Sequence, residues 1–264
     1  LVGVGLATAG PWSDAWATDR SHAVLIRDAT DCFVANVASY SPPDLDDGRD
    51  KHLLSGGLKI LDSKRVTVAD TVFAAAQNRG DGGNGYLFEV SRSGEVLFRD
   101  CVGQEGRHNF IQNWDFGTSG IVWLRVRSLG GVSRLGPNTT LGGVGASAFH
   151  HSLAMTNLID DSEVDDAWKA VNRRTFSSGA GHTATESVVW NLRGSGAVTS
   201  FQYGNGYVIG TAPSIGVTTD LGQGGLFAES SGTGPEDFTE GLGQGAWLSP
   251  RSLFEDQLAR RLAR

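Results

Sequence analysis

The chain has two cysteines and one methionine in 264 residues, no apolar run of eighteen, and no basic excess. Each scarcity excludes something. Cys32 and Cys101 are too few for a disulfide framework, and their spacing fits no zinc site. Both lie in apolar strand contexts, Asp31-Cys32-Phe33-Val34 and Arg99-Asp100-Cys101-Val102. They are expected to be buried, inward-facing thiols, with a bridge between stacked turns as the alternative. Without a long apolar run, no segment is expected to span a membrane. A net charge of −7 provides no basic face for nucleic acid, although it leaves room for a local basic pocket that takes an acidic sugar. The opening Leu1-Val2-Gly3-Val4-Gly5-Leu6-Ala7 lacks an initiator Met and a basic flank, so it reads as a strand and not as a signal peptide. Its N-terminal neighbours are expected to precede Leu1.

What is abundant is glycine, at 37 residues, and a pattern that returns about every thirty residues. A short apolar strand closes on a polar residue: Val66-Thr67-Val68-Ala69-Asp70, then Val96-Leu97-Phe98-Arg99-Asp100, then Ile121-Val122-Trp123-Leu124-Arg125-Val126. It returns as Ser152-Leu153-Ala154-Met155-Thr156-Asn157 and Ser187-Val188-Val189-Trp190-Asn191. The stops Asp70, Asp100, Asn157 and Asn191 are 30, 57 and 34 residues apart, the middle gap counting as two repeats. One such unit cannot bury its own apolar face, so the period means stacking. A propeller would need four strands in every ~40–45 residues. The expected fold is therefore all-β, a right-handed parallel β-helix.

Residues 41–51 carry Pro42, Pro43 and four acids and read as a solvated loop; residues 77–85, 130–145 and 222–245 read as glycine-rich loops. Phe88, Val90, Val96 and Phe98 should alternate inward, and residues 150–159 read as a strand. Ser249-Pro250 reads as an N-cap with Pro in the first turn, and Phe254, Leu258 and Leu262 mark an amphipathic helix. The expected organisation is a β-helix over residues 1–248 and a capping helix over 249–264, laid on the last coil.

Chemistry-bearing residues concentrate between 149 and 186. Four of the six histidines lie between His108 and His182. Stacked coils sit about 4.8 Å apart, so His108, one of His150 and His151, the segment from Lys169 to Arg173, and His182 could converge on one face. Adjacent strand residues point to opposite faces, so only one of His150 and His151 should join. Trp123 and Trp190 read as core. Trp168, beside Lys169, reads as the sugar platform.

Asn172-Arg173, Gly179-Ala180-Gly181-His182, Val188-Val189-Trp190-Asn191, Arg107-His108-Asn109-Phe110 and the segment from Ser249 to Leu258 together resemble secreted bacterial proteins of the pectate-lyase-like family. Asp165-Asp166 followed by Gly181-His182-Thr183 is a looser echo of polygalacturonases, with Thr where those have Gly. The resemblance implies the β-helix, a secreted or cell-surface location and a polysaccharide partner. The cluster of cations and histidines itself reads as uronate recognition and β-elimination on a uronate-containing glycan, with Lys169, Arg173, His182 and His151 expected to be catalytic. His108, His150, Trp168, Asn172, Arg174 and Glu186 would bind substrate. Asp161, Asp165 and Asp166 would hold a metal, calcium being the cation that hard oxygen donors suit. Other readings stay open. The cations could pair with residues 160–166 as a charged loop, His182 could be a turn residue, and Asp165 with Asp166 could instead hydrolyse a glycoside. The chain could also bind glycans without cleaving them.

Overall fold

The computed structural model describes residues 1–8, 12–17, 20–41, 52–80, 82–133, 143–219 and 235–264. It is mostly β, built of long parallel sheets with a short C-terminal helix. One sheet has eight strands that pair in chain order: His22–Arg27, Gly56–Leu61, Tyr86–Ser91, His108–Gln112, Ser147–Phe149, Ala167–Ala170, Ala197–Ser200 and Gly216–Thr218. A larger sheet takes the strands between them, among them Thr30–Ser39, Lys64–Ala69, Gly94–Arg99, Ser119–Leu124, Leu158–Asp160 and Val188–Leu192. The chain thus passes back and forth between the two sheets, and every strand pairing within them is parallel; the separate pair Val132–Ser133 and Gly143–Val144 is antiparallel. This arrangement is compatible with a parallel β-helix or solenoid. The opening strand Val2–Leu6 pairs with Thr30–Ser39. Among the described residues no helix is long and apolar enough to cross a membrane.

The interior is a set of registered columns. Val34, Val68, Phe98, Trp123, Ile159 and Val189 are successive cross-strand partners, all buried. Phe98 and Trp123 stack at 4.3 Å with planes 10° apart, and Phe88 and Phe110 stack at 5.0 Å and 14°. The repeat visible in the sequence is this column, because each turn must place one apolar side chain over the last. Phe88, Val90, Val96 and Phe98 all face the interior as the alternation predicts.

The polar stops have a backbone cause. Asp70, Asp100, Arg125, Asp161 and Asn191 all adopt left-handed φ, between 45° and 55°. Asp and Asn tolerate that region better than most residues. Four of these amides bond a carbonyl on the next strand: Asp70 to Arg99, Asp100 to Leu124, Arg125 to Asp160, Asp161 to Trp190. The ladder therefore runs through Arg125 and Asp161, and Asn157 is not on it. Asn157 precedes the Leu158–Asp160 strand, and its Oδ1 accepts the Ile121 amide at 3.0 Å. Arginines pair with the acids of this ladder: Arg125 Nε is 2.7 Å from Asp100, and Arg193 Nε, beside the ladder, is 3.1 Å from Asp161.

The C-terminal helix spans Leu253–Leu262, later than Ser249-Pro250 predicts. Its N-cap is Ser252, whose Oγ accepts the Glu255 amide at 3.1 Å, the Ser-x-x-Glu pattern of a capping box. The buried Asp160 carboxylate completes the cap, accepting from Ser252 Oγ at 2.7 Å and the amides of Leu253 and Phe254 at 3.2 and 2.8 Å. Arg251 meets Asp161 at 3.0 Å, and Arg125 also pairs with Glu255. The helix therefore docks by its first turn on the ladder at the flank of the stack and does not lie over the last coil. No residue in it is buried. Of the loops expected at 41–51, 130–145 and 222–245, residues 42–51, 134–142 and 222–234 lie outside the described residues; the described remainder is not all loop, since it holds the short strands Val132–Ser133, Gly143–Val144 and Phe238–Glu240. Both thiols are free, Cys101 buried and Cys32 part-exposed, so no bridge joins the turns.

Candidate functional site

Five rings form a ribbon at the flank of the eight-stranded sheet. Tyr86 and His108 are the first residues of two paired strands and lie in register, with ring centroids 5.0 Å apart. His108 meets His150 edge-on at 5.2 Å, His150 lies over His151 at 5.3 Å, and His151 stacks on Trp114 at 4.1 Å with planes 22° apart. Tyr86, His150, His151 and Trp114 line a cleft of about 250 Å³, with Arg20 and Arg107 at its edge. The Arg107 guanidinium sits 5.7 Å over the Tyr86 ring. Gly85 permits this approach: its φ is +75°, and a Cβ there would come within 2.9 Å of Arg107 Cβ. Arg173, itself buried, bonds through Nη1 to Ser177 Oγ at 3.2 Å, and Ser177 lines the cleft.

The electrostatics of the ribbon follow from burial beside cations. Burial pushes the His108 pKa well down, and the Arg107 charge adds to it; His150 is lowered by burial and then by Arg173. His151 is lowered by burial and by Arg173, with a bond to the Ser177 backbone acting the other way. All three rings are therefore neutral near pH 7. Burial raises the Tyr86 phenol and lowers Arg173 to about 10, which leaves the guanidinium charged at neutral pH. His108 Nε2 and His150 Nδ1 are buried with no hydrogen-bond partner. No carboxylate lines the cleft among the described residues.

Both His150 and His151 join the site, contrary to the alternation argument. The strand ends at Phe149, and the chain bends at His151, with left-handed φ at Ser152 and Leu153. The two-residue period therefore does not reach the histidines. Trp168 is not a sugar platform. It is 2% exposed and stacks in the core on Phe110 at 5.9 Å, because its register is that of the inward column. Trp114, 37% exposed, is the open aromatic of the cleft.

Lys169 pairs with Ala148 on the neighbouring strand and is not in the cleft lining, though its charge contributes to lowering His108. Burial, then Arg173, lowers the Lys169 pKa. His182 lies apart from the ribbon. It bridges to Asn172 and meets Tyr203 at 4.6 Å, and Asn172 Nδ2 donates to the Tyr203 hydroxyl at 2.8 Å. Arg174 and Glu186 are exposed turn residues with φ of 50° and 52°.

The three expected metal carboxylates do not converge. Asp161 holds Arg193 and Arg251, and Asp165 accepts the Gly130 amide at 2.7 Å. Asp166 is sealed in the interior, accepting from Asn109 Nδ2 at 2.8 Å, Ser128 Oγ at 2.9 Å and the Gly131 amide at 3.1 Å. Among the described residues no group of three His, Cys, Asp or Glu could hold a metal ion. Calcium ligation by this set does not fit. Paired-carboxylate hydrolysis does not fit either, since Asp166 is only 7% exposed.

Sequence reasoning missed Tyr86, which enters from two strands upstream of the polar stretch. It also missed Glu89, buried with Lys59 at 2.9 Å, His22 at 2.8 Å and Asn113 at 3.2 Å. Burial works against that carboxylate's charge, but the His22 and Lys59 bonds outweigh it and hold its pKa below the usual value. The signal for Tyr86 was its register with His108, since both open a strand. Compared with protein-family models, curated proteins and solved structures, the chain matches none.

Proposed function

We propose that this chain is a secreted or cell-surface carbohydrate-active protein, a right-handed parallel β-helix of the pectate-lyase-like kind. Its cleft takes a uronate-containing polysaccharide and cleaves it by β-elimination. The observation that carries the reading is the ribbon of neutral rings from Tyr86 to Trp114, with Arg107 over one end and Arg173 held at the cleft by Ser177. In a protein of net charge −7, that is a local basic pocket lined with flat surfaces.

β-Elimination removes the proton from the carbon beside the carboxylate. The electron pair released forms a carbon–carbon double bond, the glycosidic carbon–oxygen bond breaks, and the leaving oxygen takes a proton. Arg173 and Arg107 stabilise the charge that develops on the carboxylate. His151 takes the proton, because burial and Arg173 hold its ring neutral. Tyr86 gives a proton to the leaving oxygen, because burial holds its phenol protonated. Lys169 adds positive charge behind His108, and His182 has no part in the step.

The test is a screen of uronate polysaccharides for unsaturated, ultraviolet-absorbing ends. Wild type should release them, and His151→Ala should release them at least about a hundredfold more slowly, the usual cost of losing a general base. Reducing ends without that absorbance would replace elimination by hydrolysis. Retention on a polysaccharide column with no product at any pH would make the chain a glycan-binding scaffold.

A further inference from the structure

We infer that Trp114 is a second sugar subsite, seating the ring next to the one whose carboxylate lies on Arg173, so that the cleft reads a polymer and not a single sugar. The inference rests on the glycan reading of the same cleft and goes on to specify how many units the cleft engages. One indole face is taken by His151, at 4.1 Å with planes 22° apart, yet the residue stays 37% exposed at the cleft mouth. Every other ring of the ribbon is under 8% exposed. A large aromatic with only one covered face, placed where a chain of sugars must leave the cleft, has its other face open for stacking.

The backbone supports the placement. Trp114 has φ +50° and Asp115 φ +64°, a conformation that a bulky side chain adopts only when its surroundings impose it. Arg92 pairs with both Asp62 and Asp115, tying this turn to the turn one coil earlier. Thr118 closes the loop, fully buried. The indole is thus held over the cleft by a fixed turn, and little ordering remains to oppose binding. Half-exposed Phe176 precedes Ser177 and Ser178, which are both in left-handed conformation and both in the cleft lining.

The experiment measures dissociation constants for galacturonate and mannuronate oligosaccharides of one, two, three and six units, with wild type, Trp114→Ala and Trp114→Phe. Wild-type affinity should rise with length. Trp114→Ala should bind the single sugar as wild type does and the longer chains about three- to tenfold more weakly, with Trp114→Phe restoring most of the loss. Wild-type binding that rises with length and is equal in Trp114→Ala would overturn this inference and leave the glycan reading standing. Failure of wild type to bind any length in either series would overturn both. Trp114 is outside the core cluster, so the variants keep the fold, and an unchanged unfolding midpoint confirms it.

Discussion

Replacing Asp166 by Asn removes one ionisation from the interior and almost nothing of its shape. The carboxyl is raised from 3.8 to about 6 because burial opposes its charge, despite the donors from Ser128 and Gly131. Below pH 3.8 it is protonated in both the folded and the unfolded chain. Between 3.8 and about 6 the folded chain holds a proton that the unfolded chain has released. Stability from this group is therefore complete in acid and falls as pH rises through that window. At ~1.4 kcal/mol per unit, the loss is about 3 kcal/mol. His108 and His150 work in the opposite direction: neutral when folded, they take protons when unfolded below about pH 6.5, so acid destabilises the whole chain through them. The informative quantity is thus the difference between wild type and Asp166→Asn, measured by urea unfolding across that range. The amide also loses acceptor capacity toward Asn109, Ser128 and Gly131, a constant offset of roughly 1–3 kcal/mol. On top of it, the wild-type advantage should shrink by about 3 kcal/mol between acid and neutral pH, equivalent to roughly 5 °C in Tm. Parallel curves would refute the burial argument. Product formation should survive the substitution, and its loss would return Asp166 to the site.

Three further outcomes follow from the contacts. Asp160→Ala removes the acceptor of Ser252 Oγ and of the Leu253 and Phe254 amides, and should raise amide exchange and proteolysis across the terminal helix, by ~1–2 kcal/mol, while leaving the core strands protected. Phe98→Ala removes a ring stacked at 4.3 Å on Trp123 and should cost about 3–5 kcal/mol by chemical denaturation. Burial pushes the Cys101 thiol up to about 12, so a charged alkylating reagent at neutral pH should modify only the part-exposed Cys32 in the folded chain, and both after unfolding.

The stacked strands were legible because stacking demands it: one apolar residue per turn over the last, and one left-handed residue at each corner where Asp and Asn are tolerated. Val68, Phe98 and Trp123 announce themselves, and so do Asp70 and Asp100. Asn157 misled because it is polar at nearly the right distance, while the true corner, Asp161, lies hidden in an acidic run. The acidic run itself misled in the same way. Asp160, Asp161, Asp165 and Asp166 are neighbours in sequence, but each turns to a different partner: a helix N-terminus, two arginines, a loop amide and an interior network. Trp168 could have been assigned to the core, since it occupies the register of Phe110 two turns back, with Ser147 on the turn between. The cleft was half visible. His108, His150, His151 and Arg173 could be named from their density, whereas Tyr86 and Trp114 enter from other turns, and only stacking brings them together.

In the proposed function, Arg173 is the group by which the cleft selects a carboxylate-bearing sugar. The direct measurement is affinity for a hexuronate hexasaccharide and for its methyl-esterified, uncharged counterpart, with wild type and with Arg173→Gln. Wild type should prefer the charged sugar by tenfold or more, in line with roughly 1.5–3 kcal/mol for a hydrogen bond to a charged group, and Arg173→Gln should erase the preference while binding the uncharged one as before. Equal affinity of wild type for the two sugars, or a preference that persists in Arg173→Gln, would show that Arg173 does not read the carboxylate.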